Sequence, residues 1–590
     1  MLTDWVATVA MGVISSNLGD IYNKGEHTKN VDPQLLAFWA TFFLIHRGGP
    51  DTITAYSLED NELWLRQFVG LLSQTTLTVY VIILSWEVNW LSHLSIPMLT
   101  VGIIKYGERT WSLYCGSNKY LRDSLLRSSD YSVKWEQPQR EYNRRFFRAI
   151  HIFISLFVDM VSSPSEIIED RKYFQNAGLF EWNFVDSELK LMYDVFYTKA
   201  FANYGISGLT SRFISLTTTI VVLVFYAKLS VKREYPDLDH IISYLLLIGA
   251  LLAEIFALMS VVSSLWTQIN INLSLIDDSC TNFVEICRCF CLMFCIYVVD
   301  LLSYPAQYIT RNEVVPAEFL MGQSNFLNMI SNKRFNIKGK FFLVKKLEEL
   351  TSVGKYCVSS NLVKVICESL RDKSKEGTRS NPPSSLGYRN LLLGKNVPIF
   401  ASELELHRTI ITWHIATGLF YFYVDDSSSK LDERENCKVM SDYMFYLLVN
   451  QRQMLPVGAG LITLRDTVIE AEKFFFVLPN DLVQVSRALL DQHDKNIARD
   501  EVSEMENTSV LFHACAVAKQ LIAEESRQLT WKFVEDLWIE VMSYASAQCR
   551  VDMHAHQLRR GPELLSHVWL LQAHLGLLEQ FQIIPRQASV

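Results

Sequence analysis

Two long apolar runs limit what this chain can fold into. Residues 241–266 and 68–84 are mostly apolar, and a helix needs about 20 such residues, or ~17 at the short end, to cross a bilayer. Residues 90–104 and 213–229 are shorter runs, but each is flanked by an aromatic or basic residue that suits the membrane surface. Backbone polar groups in hydrocarbon must be paired internally, so these segments predict transmembrane helices.

Three further apolar segments are weaker candidates for membrane spans. Residues 5–18 and 35–45 are short, and residues 283–302 are interrupted by charged side chains. The sequence therefore predicts an all-α fold, in which a multi-spanning transmembrane helix bundle of about four to seven helices is followed by a helical cytosolic C-terminal domain.

Loop charge predicts the orientation of these helices, because Lys and Arg are enriched in short cytosolic loops. The turn at residues 85–89 has no basic residue and is placed outside, whereas residues 105–212 contain fifteen Lys and Arg and are placed in the cytosol. The basic loop at residues 228–233 disagrees with this arrangement. An apolar stretch at residues 146–163 suits either a core helix of a small subdomain or a helix in the membrane interface.

The second half of the chain has the composition of a helical domain outside the membrane. Residues 371–387 combine charge, Ser, Gly and a Pro pair, which is typical of a linker. Apolar residues between 534 and 545 recur at helical spacing, with Thr530 as the expected N-cap, and Gly561 and Pro562 then separate two helices. The predicted organisation is N-terminal membrane helices at 1–125, a cytosolic loop subdomain at 126–205, a second membrane helix group at 206–305, a helical connector at 306–370, the linker at 371–387 and a helical soluble C-terminal domain at 388–590.

Charge, cysteine usage and motifs exclude several classes of protein. The net charge is −8, whereas a nucleic-acid-binding protein normally carries a basic stripe, so no nucleic acid partner is expected. The eleven cysteines lack the even spacing of a secreted disulfide framework, which favours a reducing compartment. No P-loop, dinucleotide fingerprint, metalloprotease, hydrolase or kinase signature occurs. We therefore expect no catalytic residue, no cofactor and no metal, which favours a non-enzymatic protein.

An acidic passage, "HRGGPDTITAYSLEDNELW", lies between two apolar runs. Several of its carboxylates would together suit a hard cation, which takes several oxygen ligands. Their spacing matches no calcium loop, however, and acids also favour the start of a helix. Asp51 is placed to cap the segment after the Gly-Gly-Pro turn, and Ser57 with Asp60 resembles a capping box for the helix that enters the membrane. Capping is the favoured interpretation and an ion site the alternative; the candidate functional residues are Asp51, Glu59, Asp60 and Glu62.

Glu254 is the other candidate functional residue, because it lies near the middle of the 241–266 run. A charged side chain at that depth costs at least ~2.5 kcal/mol unless it is paired or protonated. His93, in another predicted span, is one potential partner. A functional carboxylate and a hydrogen-bonded Glu that faces the bundle interior are both compatible with the sequence.

Two clusters contain metal-ligating residue types without matching a known spacing. The cysteines fit neither zinc nor iron–sulfur patterns, which leaves palmitoylation beside the membrane or a role as small apolar residues in a helix. For the histidines we favour hydrogen-bonded side chains at a helix boundary over a metal site. The cysteines are Cys287, Cys289, Cys291 and Cys295, and the histidines are His554, His556, His567 and His574.

Several long motifs carry a family resemblance. "GGPDTITAYSLEDNELW" and "GIIKYGERTWSL" occur in the first half, and "WHIATGLFYF", "SDYMFYLLV", "MLPVGAGLITLRDT" and "QLRRGPELLSHVWLLQAHLGLLEQF" in the second. Together they resemble a plant membrane-protein family, domain of unknown function 4220, with its companion C-terminal domain of unknown function 594. The resemblance implies a multi-spanning plant membrane protein, with a helical C-terminal domain and no established catalytic residue. Relatives usually have a further hydrophobic segment upstream, and residues 270–317 depart from the family pattern.

These observations predict an integral, multi-pass protein of the plasma membrane or an endomembrane. Its expected partners are the lipid bilayer and a protein bound by the C-terminal domain. The leading expectation is a membrane-anchored interaction or regulatory protein, because an extensive soluble domain without a reaction motif is joined to a membrane part with few charges. The alternative is a transporter or channel component that uses an intramembrane carboxylate, for which Glu254 is the residue to test.

Overall fold

In the residues that the computed structural model describes, the chain is helical and has one pair of short strands. Its helices confirm the predicted all-α class. The predicted cysteine cluster at residues 287–295 lies outside the described residues. The described residues are 8–16, 32–128, 150–160, 164–175, 180–200, 206–230, 237–262, 266, 320–331, 354–376, 406–423, 431–455, 460–474, 482–498, 509–523 and 527–578.

The helices with defined bounds are numbered in chain order. In the first half they are α1 (Pro33–Arg47), α2 (Leu58–Glu62), α3 (Trp64–Leu84), α4 (Trp90–Cys115), α5 (Asn118–Ser128), α6 (Pro164–Phe174), α7 (Phe180–Tyr197), α8 (Ile206–Ser230) and α9 (Asp237–Val262). In the second half they are α10 (Phe326–Ser331), α11 (Ser360–Glu376), α12 (Leu406–Tyr423), α13 (Leu431–Asn450), α14 (Gly460–Phe474), α15 (Leu482–Ala498), α16 (Val510–Ala523), α17 (Arg527–Gln548), α18 (Val551–Gln557) and α19 (Leu564–His574).

The chain divides into two compact units. Unit 1 comprises Met1–Val161, Ser187–Asn312 and Leu558–Arg560, and unit 2 comprises Ser162–Asp186, Glu313–Gln557 and Gly561–Val590. The domain boundaries drawn from the sequence stay predictions. In the predicted linker, residues 371–376 form the end of α11, because their Lys, Asp and Glu side chains tolerate a helix. Residues 377–387 lie outside the described residues.

Three helices of unit 1 are long and apolar enough to cross a membrane. Three of the predicted spans coincide with them, and they indicate a membrane-associated protein. The fourth predicted span, residues 90–104, is helical but is not apolar enough over a sufficient length to count as a candidate span. His93, Pro97 and Lys105 interrupt the apolar residues of α4. The three candidate spans are Trp64–Leu84 in α3, Thr210–Ser230 in α8 and Asp237–Val261 in α9.

Unit 1 packs α1 against α4, α8 and α9. Phe38 of α1 is fully buried, and its ring stacks on Tyr226 of α8 at a centroid distance of 5.8 Å. The outer faces of the candidate spans instead expose large apolar side chains such as Val69, Val221 and Leu252. Exposed apolar surface of this extent suits lipid rather than water.

The apolar stretch at residues 146–163 contains a helix at residues 150–157. Its side chains at Ile152, Phe153 and Ile154 are buried. The core-helix interpretation predicted this burial, since a helix lying on a bilayer would keep one apolar face outside the protein.

Unit 2 is a helical unit with its own apolar core. Trp538 of α17 and Trp569 of α19 are both buried, at 0% and 1% exposure. The helix predicted after Thr530 starts earlier, at Arg527, so Thr530 lies inside α17 and is not its N-cap. Gly561 adopts φ +106° between α18 and α19, which confirms the predicted helix break.

The connector predicted as helical at residues 306–370 also contains two short strands. β1 (Leu320–Gln323) and β2 (Gly354–Cys357) pair antiparallel. A Cβ at Gly322 would lie 2.4 Å from the ring of Tyr446, so only glycine lets β1 pass this close to α13. Tertiary packing therefore overrides helical propensity here.

Candidate functional site

Six charged side chains are buried together in unit 1, and we call this group the charge cluster. Their side-chain exposure lies between 0% for Lys199 and 11% for Glu108. Charged side chains are almost never this buried unless they are paired. The charge cluster consists of Asp51, Lys105, Glu108, Lys199, Arg212 and Glu254.

The charge cluster joins a loop to three longer helices. Asp51 lies between α1 and α2, and its Oδ1 is 3.1 Å from Nζ of Lys199, which follows α7. Its Oδ2 is 2.9 Å from Nη2 of Arg212 in α8. The same Nη2 donates to Oε2 of Glu108 in α4 over 2.6 Å. A single guanidinium group thus connects two carboxylates from different parts of the chain.

Glu254 joins the same cluster from α9. Its Oε2 lies 2.9 Å from Nζ of Lys105 and 3.9 Å from Nη1 of Arg212. These cations replace His93, which the sequence suggested as a partner and which instead contacts the carbonyl oxygen of Asn89 over 2.7 Å. This carboxylate of a candidate span is therefore paired with a cation, which lowers the cost of burying it.

Glycines allow the Asp51 loop to reach the cluster. A Cβ at Gly48 would lie 2.7 Å from Cβ of Lys105, so the loop passes directly against α4. Gly49 has φ +66°, a left-handed conformation that favours glycine. The loop is then held by its backbone, because the N–H of Lys199 donates to the carbonyl oxygen of Asp51 over 3.0 Å.

Burial and charge shift the pKa values of Asp51 and Lys199, which both lie outside the candidate spans. Burial alone would raise the pKa of Asp51, but Lys199, Arg212 and Lys105 outweigh it and hold this pKa below the ordinary value. For Lys199, burial lowers the pKa to about 8, against the opposing effect of Asp51. The lowered pKa of Asp51 favours its ionised form, whereas the lowered pKa of Lys199 works against its charge. Since the pKa of Lys199 is still about 8, most of this side chain is protonated at neutral pH.

The three carboxylates and three cations of the cluster cancel in formal charge. A neutral group of this kind costs little net free energy when it is complete, but removal of one member leaves a buried charge without compensation. That loss typically costs ~3–5 kcal/mol. The cluster can therefore hold a loop and several helices in one fixed arrangement.

The acidic passage is used in several separate ways. Asp51 enters the charge cluster, so the expectation that it caps the following helix is wrong. The carboxylate of Asp60 accepts from the backbone N–H groups of Tyr56 and Ser57, at 2.9 and 3.2 Å, which confirms the capping role. That cap belongs to the five-residue helix α2, however, and not to the membrane helix α3.

Glu62 and Glu59, the other acids of this passage, lie outside the charge cluster. Oε1 of Glu62 accepts from the backbone N–H of Asn118 over 2.7 Å, which ties α2 to the start of α5. Glu59 is exposed. Across the described part of the chain, no three His, Cys, Asp or Glu side chains are grouped so that they could hold a metal ion.

Sequence reasoning missed four members of the charge cluster. Lys105 and Glu108 lie in the motif "GIIKYGERTW", and Arg212 stands at the beginning of an apolar run. A cation beside an apolar run can be an anchor at the membrane surface or a partner in a buried ion pair. Both roles have the same sequence pattern, so the sequence does not separate them. Lys199 has no local signal, because its partner Asp51 is distant in sequence.

The histidines near the C-terminus are hydrogen-bonded within unit 2. Nδ1 of His554 lies 3.0 Å from Oγ of Ser566, and burial lowers the pKa of His554 to about 4. Nε2 of His567 lies 3.3 Å from Oδ1 of Asp186. Nδ1 of His574 lies 3.3 Å from a carboxylate oxygen of Asp170. These contacts agree with the hydrogen-bonded interpretation.

Two family models match the chain. The one described as "Domain of unknown function (DUF4220)" matches residues 1–329, and the one described as "Protein of unknown function, DUF594" matches residues 523–577. They confirm the domain combination that the sequence motifs indicated. Neither the curated proteins nor the solved structures contain a match. The first model covers all six residues of the charge cluster and all three candidate spans.

Proposed function

The chain belongs to the family described as domain of unknown function (DUF4220), and on that premise we propose that it is a membrane-anchored interaction or regulatory protein. In this proposal unit 1 is integral to the membrane as a multi-pass bundle. Unit 2 lies in the cytosol and binds a protein partner.

The distribution of the candidate spans carries this proposal. All three spans found in the described residues belong to unit 1. Unit 2 is compact in its own right and buries large side chains such as Trp538 and Trp569. A separate helical unit of this size is what an anchored interaction protein needs, because its binding surface must remain in water.

The charge cluster supports the anchoring role of unit 1. Its ion pairs tie the Asp51 loop and the residue after α7 to candidate spans α8 and α9. Since each carboxylate already has a cation within 3.1 Å, the cluster resembles a structural brace.

A second candidate function is a transporter or channel component. The observation in its favour is Glu254, which is 3% exposed within a candidate span and paired with Lys105 at 2.9 Å. Ionisable groups inside a membrane often mark a proton or ion path. In this alternative Glu254 would exchange partners or protons during transport.

One experiment separates the two functions. The full chain is purified from its native membrane beside Glu254→Gln and the neutral pair Lys105→Gln/Glu254→Gln. The double variant is the matched control, because it removes the carboxylate without leaving an unpaired Lys105. Ion and solute flux is measured after reconstitution of the same proteins.

An interaction protein predicts that wild type and double variant retain the same partner in near-equal molar amount. A transporter predicts a flux in the wild type that both variants lose. Retention of no partner, together with a flux that depends on Glu254, would overturn the leading proposal in favour of the second.

A further inference from the structure

One end of the candidate spans carries a group of aromatic rings. Trp64 begins α3 and Tyr114 stands near the end of α4, and their ring centroids are 4.8 Å apart. Trp111 and Tyr120 join them at 5.4 and 5.1 Å from Tyr114. Trp111 is 53% exposed. Trp and Tyr are enriched where spans meet water, because their rings are apolar and their N–H or O–H groups are polar.

A second group of aromatic rings lies at the opposite end of the same helices. Trp90 begins α4 and lies 5.8 Å from Tyr226 near the end of α8, which lies 5.3 Å from Tyr244 near the start of α9. The 21 residues of α3 between these ends correspond to a length of about 30 Å. That length equals the thickness of the hydrocarbon core. Trp64 and the exposed Trp111 therefore mark one face of the bilayer, about one hydrocarbon thickness from the opposite end of α3.

Three exposed cations lie beside the first aromatic group, and we call them the cationic rim: Arg66, Lys119 and Arg122. Arg66 follows Trp64 on α3, and the other two flank Tyr120 on α5. None of the three side chains forms an ion pair or hydrogen bond with another residue of the described ranges. Their charges are thus available to groups outside the protein.

The position of Arg66 relates the cationic rim to lipid. Its neighbours Leu65 and Phe68 are 57% and 40% exposed, and they begin the outward apolar face of α3. A long cationic side chain at the end of such a face extends along the apolar surface until its charge reaches the headgroups.

Three acids at this end already have partners inside the protein, and the exposed Glu59 is one of them. Asp60 accepts two backbone hydrogen bonds, and Glu62 accepts one from Asn118. Asp123 of α5 is partly buried. The groups that suit the cationic rim are therefore the phosphates of the adjoining leaflet, because Lys and Arg beside a membrane strengthen the binding of its anionic surface.

We propose that Arg66, Lys119 and Arg122 bind the headgroups of anionic phospholipids, with Trp111 inserted beside them. The orientation predicted from loop charge places this end on the cytosolic side, which is the side rich in anionic lipid. The proposal requires only that unit 1 spans the bilayer, so it holds for an interaction protein and for a transporter alike.

Lipid retention tests this proposal on the full chain. The protein is reconstituted in nanodiscs of phosphatidylserine and phosphatidylcholine in equal parts, released into mild detergent, and its retained lipids are counted by native mass spectrometry. The wild type should retain phosphatidylserine in preference. The variant R66Q/K119Q/R122Q should lower the ratio of phosphatidylserine to phosphatidylcholine by at least fivefold, the factor that corresponds to ~1 kcal/mol.

Two controls isolate the effect of these positions. Lys228→Gln removes an exposed cation in the last turn of α8, at the opposite end, and should leave the ratio unchanged. R66K/R122K keeps the charge and should preserve the preference, which separates charge from fold. An unchanged ratio in the triple variant, an equal loss in Lys228→Gln, or no preference in the wild type would overturn the proposal.

Discussion

Glu563 provides the sharpest test of the buried electrostatics of unit 2. This residue immediately precedes α19 and is only 9% exposed. Its carboxylate accepts hydrogen bonds from the hydroxyl of Tyr443 over 3.2 Å and from the amide of Gln557 over 3.3 Å. Burial raises the pKa of Glu563 from 4.5 to about 7, while both hydrogen bonds oppose the rise. The folded protein therefore holds this proton more tightly than the unfolded chain.

The sign of the pH dependence follows from this difference. The stabilising contribution of protonated Glu563 is complete below pH 4.5, declines as pH rises, and is lost above about pH 7. Because one pKa unit corresponds to 1.36 kcal/mol, the loss amounts to about 3 kcal/mol as an upper estimate. Glu563→Gln mimics the protonated form, so it should stabilise unit 2 by a similar amount at about pH 8 and change little at about pH 5.

Thermal unfolding of the full chain in detergent, followed by tryptophan fluorescence between these pH values, measures the effect. Glu535→Gln is the control, since Glu535 is also buried but pairs with Nζ of Lys532 at 2.8 Å. Its substitution should destabilise the protein, which is the opposite sign, because Lys532 and Asn436 lose their carboxylate partner. Equal pH slopes for wild type and Glu563→Gln would refute the reasoning, because a carboxylate that titrates normally in the fold gives no such difference.

Three further predictions concern capping, the charge cluster and orientation. Asp60→Ala should cost about 1 kcal/mol of local stability, seen as faster hydrogen exchange at residues 56–62, and unchanged exchange would contradict the cap. Glu254→Ala should destabilise unit 1 by about 3–5 kcal/mol, because it leaves Lys105 as an unpaired buried charge. The double variant Lys105→Met/Glu254→Met should regain much of that stability, and equal melting temperatures for wild type and Glu254→Ala would exclude a brace. Cys357 is exposed whereas Cys437 is buried, so a membrane-impermeant maleimide should modify Cys357 only after the plasma membrane or the vesicle has been permeabilised. Cys357→Ser is the control, and modification of Cys357 in intact cells would show that the orientation is the reverse.

Helices and local caps could be predicted from the sequence because their signals are local. The apolar run at residues 241–266 predicts a span from length and composition alone. The capping role of Asp60 follows from its distance to Ser57, since a capping box is a three-residue spacing. In both cases the residues that interact are close in sequence, so their spacing is enough to predict the local structure.

The charge cluster could be predicted only in part, because its contacts are distant in sequence. Glu254 could be singled out from its apolar surroundings, but nothing local identifies Lys105 and Arg212 as its neighbours. Asp51 follows a turn and thus has the local pattern of a cap, although Lys199 and Arg212 bind its carboxylate. The same short pattern serves both roles, and only the packing of helices decides between them.

The depth of the charge cluster bears on the choice between brace and transport path. Arg212 lies within the first turn of its candidate span, which begins at Thr210, and Glu254 lies about 10 Å from the end of its span at Val261. Arg212 therefore lies at the end marked by Trp64 and Trp111, whereas Glu254 lies five residues from Gly249, the middle of its candidate span. The cluster thus extends from one end of the spans toward the midplane, where transporters hold their substrates. Near a headgroup layer, water and lipid phosphates reduce the cost of burying charge, which applies to Arg212. Deeper in the span, pairing with Lys105 lowers the cost of burying Glu254. The cluster is neutral in sum, and one loop and several helices share its members. Movement of any one carboxylate would leave a buried cation unpaired, which favours a fixed brace over a transport path.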